Sequence, residues 1–286
     1  MIALLQLMRA PAMFTAIANV LAAHLIATGG DVQWQTLILL CVASAALYSA
    51  GMVLNDCFDY RADARERPER PLPSGRVSLQ TGWSLGWTLM VTGVVLAAVA
   101  GRLPLIIATS LAAAIVLYNA IAKHTPLASV SMGACRYLNW LLGLSVMPLD
   151  FASLAIALPV FIYVISLTTL SQAETTAADI TKVQWSATGM FGTALCIVVL
   201  LNAGVFSNLW AVLPVAIGLL WAMRLHFGIW NEFTPARVQK GVGLLIFAIV
   251  PLDALLVLAA GQWWGAVAVL ALMLPGRVLG RFMYIT

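Results

Sequence analysis

Long apolar segments separated by short polar breaks recur along the whole chain. Those that can cross a bilayer as helices lie at 10–28, 35–54, 81–101, 103–121, 127–147, 152–172, 187–205, 208–226, 238–260 and 262–275. Backbone polar groups must be satisfied inside the hydrocarbon, so we predict helices rather than strands. The pattern predicts an all-α polytopic membrane bundle of nine helices, or ten if the short segment 262–275 also crosses. No linker divides the chain, which indicates one domain over residues 1–286.

Composition and charge agree with a membrane protein. The chain is 62% hydrophobic and only 9% charged. If the N-terminus faces the cytoplasm, thirteen of the fifteen Lys and Arg residues fall at cytoplasmic helix ends, whereas Arg102 lies opposite and Arg136 lies within a helix. We therefore expect a multi-pass protein of the cytoplasmic (inner or plasma) membrane, with its polar loops facing the cytoplasm. Anionic lipid accounts for the net charge of +4, so no nucleic-acid partner is expected, and no feature indicates an obligate protein partner.

One charge-dense stretch, residues 55–76, interrupts the apolar pattern. It holds ten of the 26 charged residues (15 basic plus 11 acidic). Asn55, Asp59 and Asp63 follow an i, i+4, i+8 spacing, which places three oxygen-bearing side chains on one helix face, and Asp56 lies about 100° away. Such a face repels itself unless cations bridge it, and Mg²⁺ prefers carboxylates together with phosphate oxygens and water.

Basic residues near this face indicate an anionic ligand. Arg67 and Arg70 can grip phosphate in a bidentate fork. Tyr118 and Lys123 end the fourth predicted helix on the same face of the membrane, although Lys123 could also reach lipid phosphate. The alternative for residues 55–76 is a solvated loop in which acids and bases simply pair.

A second polar stretch follows the sixth predicted helix. Ser171 and Glu174 are spaced i, i+3 and line one helix side, whereas Asp179 lies about 140° further round than Glu174 and needs a break to converge. The alternative is a plain polar helix end with Lys182 near the terminus. The stretch therefore offers at most two carboxylates opposite the first loop.

Some polar residues lie deep inside predicted helices. Arg136 and Asn139 are i, i+3 in the fifth helix, and a charged arginine at that depth should face a cavity and have a partner. It could bind a polar group of a ligand, reach phosphate bound at the charged stretch or form a purely structural pair. Asn19 is expected to line the cavity, and Asp253 is expected to make a structural hydrogen bond.

The motifs together resemble the UbiA superfamily of intramembrane prenyltransferases. The family pattern N-D-x-x-D-x-x-x-D followed by R-P-x-R-P-x-x-S-G is met in full between Asn55 and Gly75. The Tyr118-to-Lys123 stretch and the early Arg-x-Pro, Arg9 to Pro11, also fit. The run 132–139 and the Leu-Ser-Gln-Ala-Glu stretch are most similar to the branch called EboC-like.

The resemblance implies a UbiA-like bundle around a central cavity, in which two acidic motifs and Mg²⁺ bind an isoprenyl diphosphate that ionises and passes its prenyl chain to a small acceptor. Apolar walls exclude water, and tyrosine faces could steady the allylic cation. The expected roles are catalytic for Asp59, Asp63, Lys123 and Glu174; metal binding for Asn55, Asp56, Asp59, Asp63 and Glu174; diphosphate binding for Arg67, Arg70, Lys123 and Lys182; and cavity lining for Asn19, Tyr48, Tyr118, Arg136, Asn139, Ser171 and Asp179.

The chain departs from the family in its second motif. The usual D-x-x-D-x-x-x-D is replaced by Ser171, Glu174 and Ala178, with Asp179 one place out of register. This departure keeps a membrane terpene cyclase on the same scaffold open as an alternative. A polytopic transporter of lipids or small molecules is the alternative from another class, although the polar groups crowd one face and no repeated halves are visible. The acceptor's identity stays open.

Overall fold

The computed structural model describes residues 2–174 and 179–282, with side chains up to Gly280. Across these residues the chain forms helices and their connections, without a strand, which confirms the all-α prediction. The helices are α1 (Ile2–Leu7), α2 (Ala10–Ala27), α3 (Trp34–Phe58), α4 (Tyr60–Glu66), α5 (Leu79–Ala100), α6 (Arg102–Ala120), α7 (Ala128–Leu144), α8 (Phe151–Ile156), α9 (Leu158–Ser171), α10 (Thr181–Asn202), α11 (Val212–Asn231), α12 (Pro235–Ala259), α13 (Trp263–Ala271) and α14 (Met273–Phe282). Short 3₁₀ turns lie at Ala122–His124 and Leu209–Ala211.

Within the described ranges, nine stretches are long and apolar enough to cross a membrane. They are α2, α3, α5, α6, the α8–α9 pair, α10, α11 with its preceding turn, α12, and the α13–α14 pair up to Gly280. The polytopic bundle is thus confirmed, but the helix that falls outside this set is α7 rather than the predicted segment 262–275. With 17 residues α7 is shorter than these spans, yet it packs against α2, α6 and α9 in the middle of the bundle.

Three helix boundaries differ from the predicted ones in ways that matter for the polar loops. α3 continues past residue 54 to Phe58, so Asn55 and Asp56 lie on a helix. α10 begins at Thr181 rather than at 187. The predicted helix 152–172 is divided at Ala157, before Pro159, because proline is tolerated at the first turn of a helix but not in its interior.

Glycines fix the position of α3 against α5. A Cβ atom added at Gly82 would lie 2.8 Å from Cys57 Sγ, and one added at Gly86 would lie 2.7 Å from Leu54 Cδ2. Small residues of this kind let two helix backbones approach closely inside a membrane. The carboxyl end of α3, where the first acidic motif begins, is therefore held tightly by its neighbour.

Candidate active site at the charged end of the bundle

The polar loops predicted from the sequence meet at one end of the bundle, which we call the charged end. It comprises Arg9 before α2, residues 55–76 after α3, Lys123 in the turn after α6, and Glu174 after α9. Ion pairs of Arg9 and Lys123 with the acidic motif, and the charges of Arg9 and Arg67 acting on Glu174, join four parts of the chain that are far apart in sequence.

The spacing of the first motif survives a break in the helix. α3 ends at Phe58 and α4 starts at Tyr60, with Asp59 between them. The main-chain N–H of Asp59 still donates to Asn55 O (3.0 Å), and that of Asp63 donates to Asp59 O (2.9 Å). The i, i+4 hydrogen bonds thus run through the break, so the three motif residues stay in helical sequence.

The motif residues do not form one continuous face of ligands, however, but two pairs. Lys123 Nζ lies 2.6 Å from Asp59 Oδ1 and 3.5 Å from Asn55 Oδ1. It reaches them because α6 ends at Ala120 and the 3₁₀ turn Ala122–His124 redirects the chain. One ammonium group therefore joins Asn55 with Asp59.

A second basic side chain joins the other two acids. Arg70 Nη1 lies 2.8 Å from Asp63 Oδ2 and 3.6 Å from Asp56 Oδ1, and all three side chains are more than nine-tenths buried. Arg70 is therefore engaged with carboxylates in this structure, rather than presented to an incoming phosphate as its position in the motif suggested. Arg67 ends α4 and is half-buried.

Arg9 is a site residue that the motif analysis did not single out for a role. Its Nη2 lies 3.4 Å from Asp56 Oδ1. In the described part of the chain it alone among non-glycine residues has a positive φ, 48°. Left-handed backbone at such a residue costs about 1–3 kcal/mol and tends to occur at functional sites. The sequence signal was the Arg-x-Pro pattern, since Pro11 lies in the first turn of α2.

The donor set of the first motif fits Mg²⁺. Each of the two bridging nitrogens, Lys123 Nζ and Arg70 Nη1, lies within 4 Å of two oxygen atoms that are hard ligands. Among the described residues no group of three or more His, Cys, Asp or Glu side chains forms a metal site by itself. A metal ion here would therefore complete its shell with ligand oxygens and water, as Mg²⁺ commonly does beside phosphate.

Glu174 is the acid that the second loop brings towards the first. Burial raises the pKa of Glu174, and the positive charges of Arg67 and Arg9 oppose that rise. Both arginines thus lie close enough to Glu174 for their charges to act on it. Ser171 Oγ donates to Thr168 O within α9. Ala178, the remaining position matched to the family motif, lies outside the described residues.

Asp179 and Lys182 lie elsewhere than the sequence predicted. Asp179 is exposed, and its Oδ1 accepts from the main-chain N–H of Thr181 (2.9 Å), so it caps the first turn of α10. These hydrogen bonds hold the pKa of Asp179 below its usual range. Lys182 lies beside this cap and takes part in no ion pair found in the described ranges. Asp179 is thus a surface helix cap here and not a cavity residue.

The cavity residues predicted deeper in the helices join one polar network. Arg136 Nη1 donates to Asn19 Oδ1 (3.0 Å), and its guanidinium lies 5.3 Å from the centre of the Tyr48 ring. Asn139 Nδ2 donates to Ala16 O (3.0 Å). Asp253 accepts hydrogen bonds, as its expected structural role requires. Tyr118 is half-buried, just before the turn that carries Lys123.

The fold and the site define a polytopic membrane protein in which acidic and basic side chains cluster at one end of an apolar helical bundle. Residues 16–240 match the UbiA prenyltransferase family, and the chain belongs to that family. The family resemblance seen in the motifs is thereby confirmed. The finer placement in the EboC-like branch stays a prediction.

Curated relatives are digeranylgeranylglyceryl phosphate synthases. That of Metallosphaera sedula is 39% identical over 116 residues, 38% of this chain and 41% of the relative. That of Methanoculleus marisnigri is 29% identical over 213 residues, 73% of this chain and 71% of the relative. The chain thus spans about two-fifths of the length of the first curated relatives that it matches.

Solved structures share the fold at low sequence identity. A digeranylgeranylglyceryl phosphate synthase superposes with a TM-score of 0.70 at 20% identity and covers 91% of this chain and 98% of its own. A UbiA homologue from Archaeoglobus fulgidus bound to GPP and Mg²⁺ gives a TM-score of 0.60 at 13% identity, and the match covers 91% of this chain and 99% of the homologue.

Proposed function

We propose that this protein is a Mg²⁺-dependent intramembrane prenyltransferase. It ionises an allylic isoprenyl diphosphate and transfers the prenyl chain to a small acceptor. The observation that carries the proposal is the double bridge at the charged end, where Lys123 and Arg70 each join two oxygen ligands of the first acidic motif. Membership of a prenyltransferase family supports an enzyme over a transporter.

The charges at this end suit a diphosphate. Asp56, Asp59 and Asp63 are balanced by Arg9, Arg70 and Lys123, so the cluster is close to neutral before a ligand arrives. When Mg²⁺ is bound, it supplies positive charge to the diphosphate oxygens. Lys123, no longer needed by Asp59, can then donate to the diphosphate, and Arg67, whose charge acts on Glu174, adds positive charge at the same end.

The proposed reaction breaks one bond and forms one. The carbon–oxygen bond of the donor breaks heterolytically, and the diphosphate leaves with the electron pair. An electron pair of the acceptor then forms the new bond to the allylic carbon, and the acceptor loses a proton. Basic side chains stabilise the charge on the leaving group. The apolar helices below the site exclude water, and the faces of Tyr48 and Tyr118 could stabilise the cation.

The relatives' name contains a geranylgeranyl (C20) group, and solved relatives bind GPP (C10) or the shorter DMAPP (C5) with Mg²⁺; together they support an isoprenyl diphosphate as the donor. We also infer that the charged end faces the cytoplasm, because most basic residues lie on that side.

The test incubates the purified protein with labelled geranyl, farnesyl and geranylgeranyl diphosphates and Mg²⁺. We expect binding with slow hydrolysis, and fast diphosphate release only when an extract supplies an acceptor. Asp59→Ala and Asp63→Ala should each abolish this release. Fast, acceptor-independent formation of a cyclic product would favour the cyclase. Absence of binding, or full activity in excess EDTA, would contradict both mechanisms.

A further inference from the structure

Helices α3 and α6 pack against each other, and both run towards the charged end. Each carries three residues at four-residue intervals, a spacing that keeps them on one side of a helix. The two series are Gly51, Asn55 and Asp59 along α3, and Ile115, Asn119 and Lys123 along α6. Contacts between the two series therefore show how the helices are held relative to each other just below the metal ligands.

The first contacts of the series lie one turn before the metal ligands. A Cβ atom added at Gly51 would lie 3.2 Å from Ile115 Cγ2, so the two helices approach closely at this level. Asn119 Nδ2 donates to Gly51 O at 3.2 Å. This side-chain amide thus ties the last turn of α6 to the turn of α3 that leads to Asn55.

The last contact of the series is the bridge made by Lys123. Its Nζ lies 2.6 Å from Asp59 Oδ1 and 3.5 Å from Asn55 Oδ1. α6 ends at Ala120, one residue after Asn119, and the 3₁₀ turn that carries Lys123 follows. A slide of α6 by the rise of one residue, about 1.5 Å, is enough to carry the longer of these contacts out of hydrogen-bond range.

Stability alone does not account for the Asn119 side chain. Asn119 is buried, and its Oδ1 has no hydrogen-bond partner among the described residues. An unpaired buried acceptor costs at least as much stability as one neutral hydrogen bond contributes. Gly51 lies inside α3, so its carbonyl also belongs to the i, i+4 ladder of that helix and would stay paired without Asn119. A leucine of similar size would therefore pack here at no loss of stability.

We propose that Asn119 is a positioning residue that holds α6 in register with α3 and thereby delivers the Lys123 ammonium group to Asn55 and Asp59. The inference rests on the proposed function, in which that ammonium gives way to Mg²⁺ and then donates to the diphosphate. Asn119 acts through Lys123, since its own hydrogen bond goes to Gly51 O. Without this bond, Lys123 competes less well with Mg²⁺ for the two oxygen atoms.

A double-mutant cycle between Asn119 and Lys123 tests the proposal. Asn119→Leu and Lys123→Met are made singly and together, and the Mg²⁺ affinity of the purified protein is measured by calorimetry without donor. We expect Asn119→Leu to tighten Mg²⁺ binding by about three- to tenfold when Lys123 is present, because the competing ammonium is no longer held at Asp59. In the Lys123→Met background the change should be less than about twofold, because no ammonium remains to be positioned. Equal fold-changes in the two backgrounds would overturn the proposal.

Unfolding measurements separate positioning from a structural role. Asn119→Leu should shift the midpoint of thermal unfolding by less than about 2 °C. Asn208→Leu is the matched control, because Asn208 Nδ2 likewise donates to a main-chain carbonyl of another helix, Leu258 O, at 3.0 Å. This control should lower the midpoint by about 2–4 °C and leave Mg²⁺ affinity unchanged. The same pattern in Asn119→Leu, a lower midpoint with unchanged Mg²⁺ affinity, would overturn the positioning role.

The wild-type measurements distinguish failure of this inference from failure of the proposed function. If the wild-type protein binds Mg²⁺ and an isoprenyl diphosphate but the cycle shows equal fold-changes, Asn119 loses its role and the proposed function stands. If the wild-type protein binds neither Mg²⁺ nor any of the three labelled isoprenyl diphosphates, the proposed function is contradicted, and the role of Asn119 with it.

Discussion

The ammonium nitrogen of Lys123 lies 2.6 Å from Asp59 Oδ1, where a metal ion would otherwise bind that oxygen. Lys123 is a point charge on a flexible stem, so it can withdraw without moving a helix. Asp59 is also 24% exposed, whereas Asp63, held by the buried Arg70, is 8% exposed. The first acidic motif thus has an exchangeable half, Asn55 with Asp59, and a fixed half, Asp56 with Asp63.

Lys123→Met should separate metal affinity from turnover. Without the ammonium group, Asn55 and Asp59 have lost the cation that competes with the metal, so Mg²⁺ alone should bind about tenfold more tightly. Diphosphate release should nevertheless fall by tenfold or more, because the leaving group has lost a donor. Calorimetry with Mg²⁺ and a diphosphate-release assay measure the two effects. The exposed neighbour variant His124→Gln should change neither, and weaker Mg²⁺ binding in Lys123→Met would contradict the exchange.

Arg70→Ala should act mainly on stability. It leaves Asp56 and Asp63 buried with one fewer cation, and breaking a buried pair in this way costs about 3–5 kcal/mol. Thermal or denaturant unfolding in detergent measures the loss. Arg76→Ala is the matched control because Arg76 is exposed and bonded to Gln6 and Glu69 O; it should cost less than about 1 kcal/mol. Equal losses in the two variants would show that the buried pair adds nothing.

The pH dependence of activity should report Glu174. Burial raises the pKa of Glu174, so the protonated form persists to higher pH than for an exposed glutamate. If the ionised form assists Mg²⁺-diphosphate binding, activity falls as pH drops through this raised pKa. Glu174→Gln should lower kcat/KM and remove that acid limb from the pH profile.

Asp179→Asn is the comparison for Glu174. Asp179 caps α10 through Thr181, and asparagine is also a good helix cap, so its effect on kcat/KM should be small. The acid limb should remain in this variant. A larger loss in Asp179→Asn than in Glu174→Gln would mean that the second loop bends to bring Asp179 inward during turnover.

The sequence predicted the class of fold and the loop that carries the site, because both depend on local patterns. Runs of apolar residues specify spans, and the spacing of Asn55, Asp59 and Asp63 survives as i, i+4 backbone bonds through the break at Asp59. The pairing of these ligands could not be predicted in this way. It depends on Arg70, which lies in the proline-rich segment 68–73 after α4, and on Lys123, which lies in the 3₁₀ turn after α6.

The sequence also could not show roles that depend on the residue at which a helix begins. Asp179 was predicted to line the cavity if a break turned it inward, and the earlier start of α10 instead makes it a cap. In the network of Arg136, Asn19 lies between Arg136 and Asp253. Asn19 and Asp253 belong to helices near opposite ends of the chain, so the sequence could not show that they meet. Contacts of such sequence separation leave no local pattern.

Topology can be tested by single-cysteine labelling in a cysteine-free background. Glu66→Cys, exposed at the charged end, should react with an impermeant thiol reagent only from the cytoplasmic side. Arg102→Cys, exposed at the start of α6, should react only from the outside. The prediction rests on the distribution of basic residues. Labelling of position 66 from outside would reverse the orientation.

A close glycine contact between α5 and α3 positions the metal site. A Cβ added at Gly86 would lie 2.7 Å from Leu54 Cδ2, closer than real Cβ atoms approach their neighbours, and Leu54 immediately precedes Asn55. Gly86→Ala should therefore push the end of α3 outward and weaken Mg²⁺-dependent donor binding by about tenfold, since a displacement near 1 Å can cost a hundredfold in a reaction. Gly218→Ala, also inside a helix but with nothing within 4 Å of the added atom, is the matched control and should bind the donor normally. Donor affinity is measured at fixed Mg²⁺, alongside thermal unfolding. Equal affinities in the two variants, with Gly86→Ala fully folded, would show that α5 does not set the position of the metal ligands.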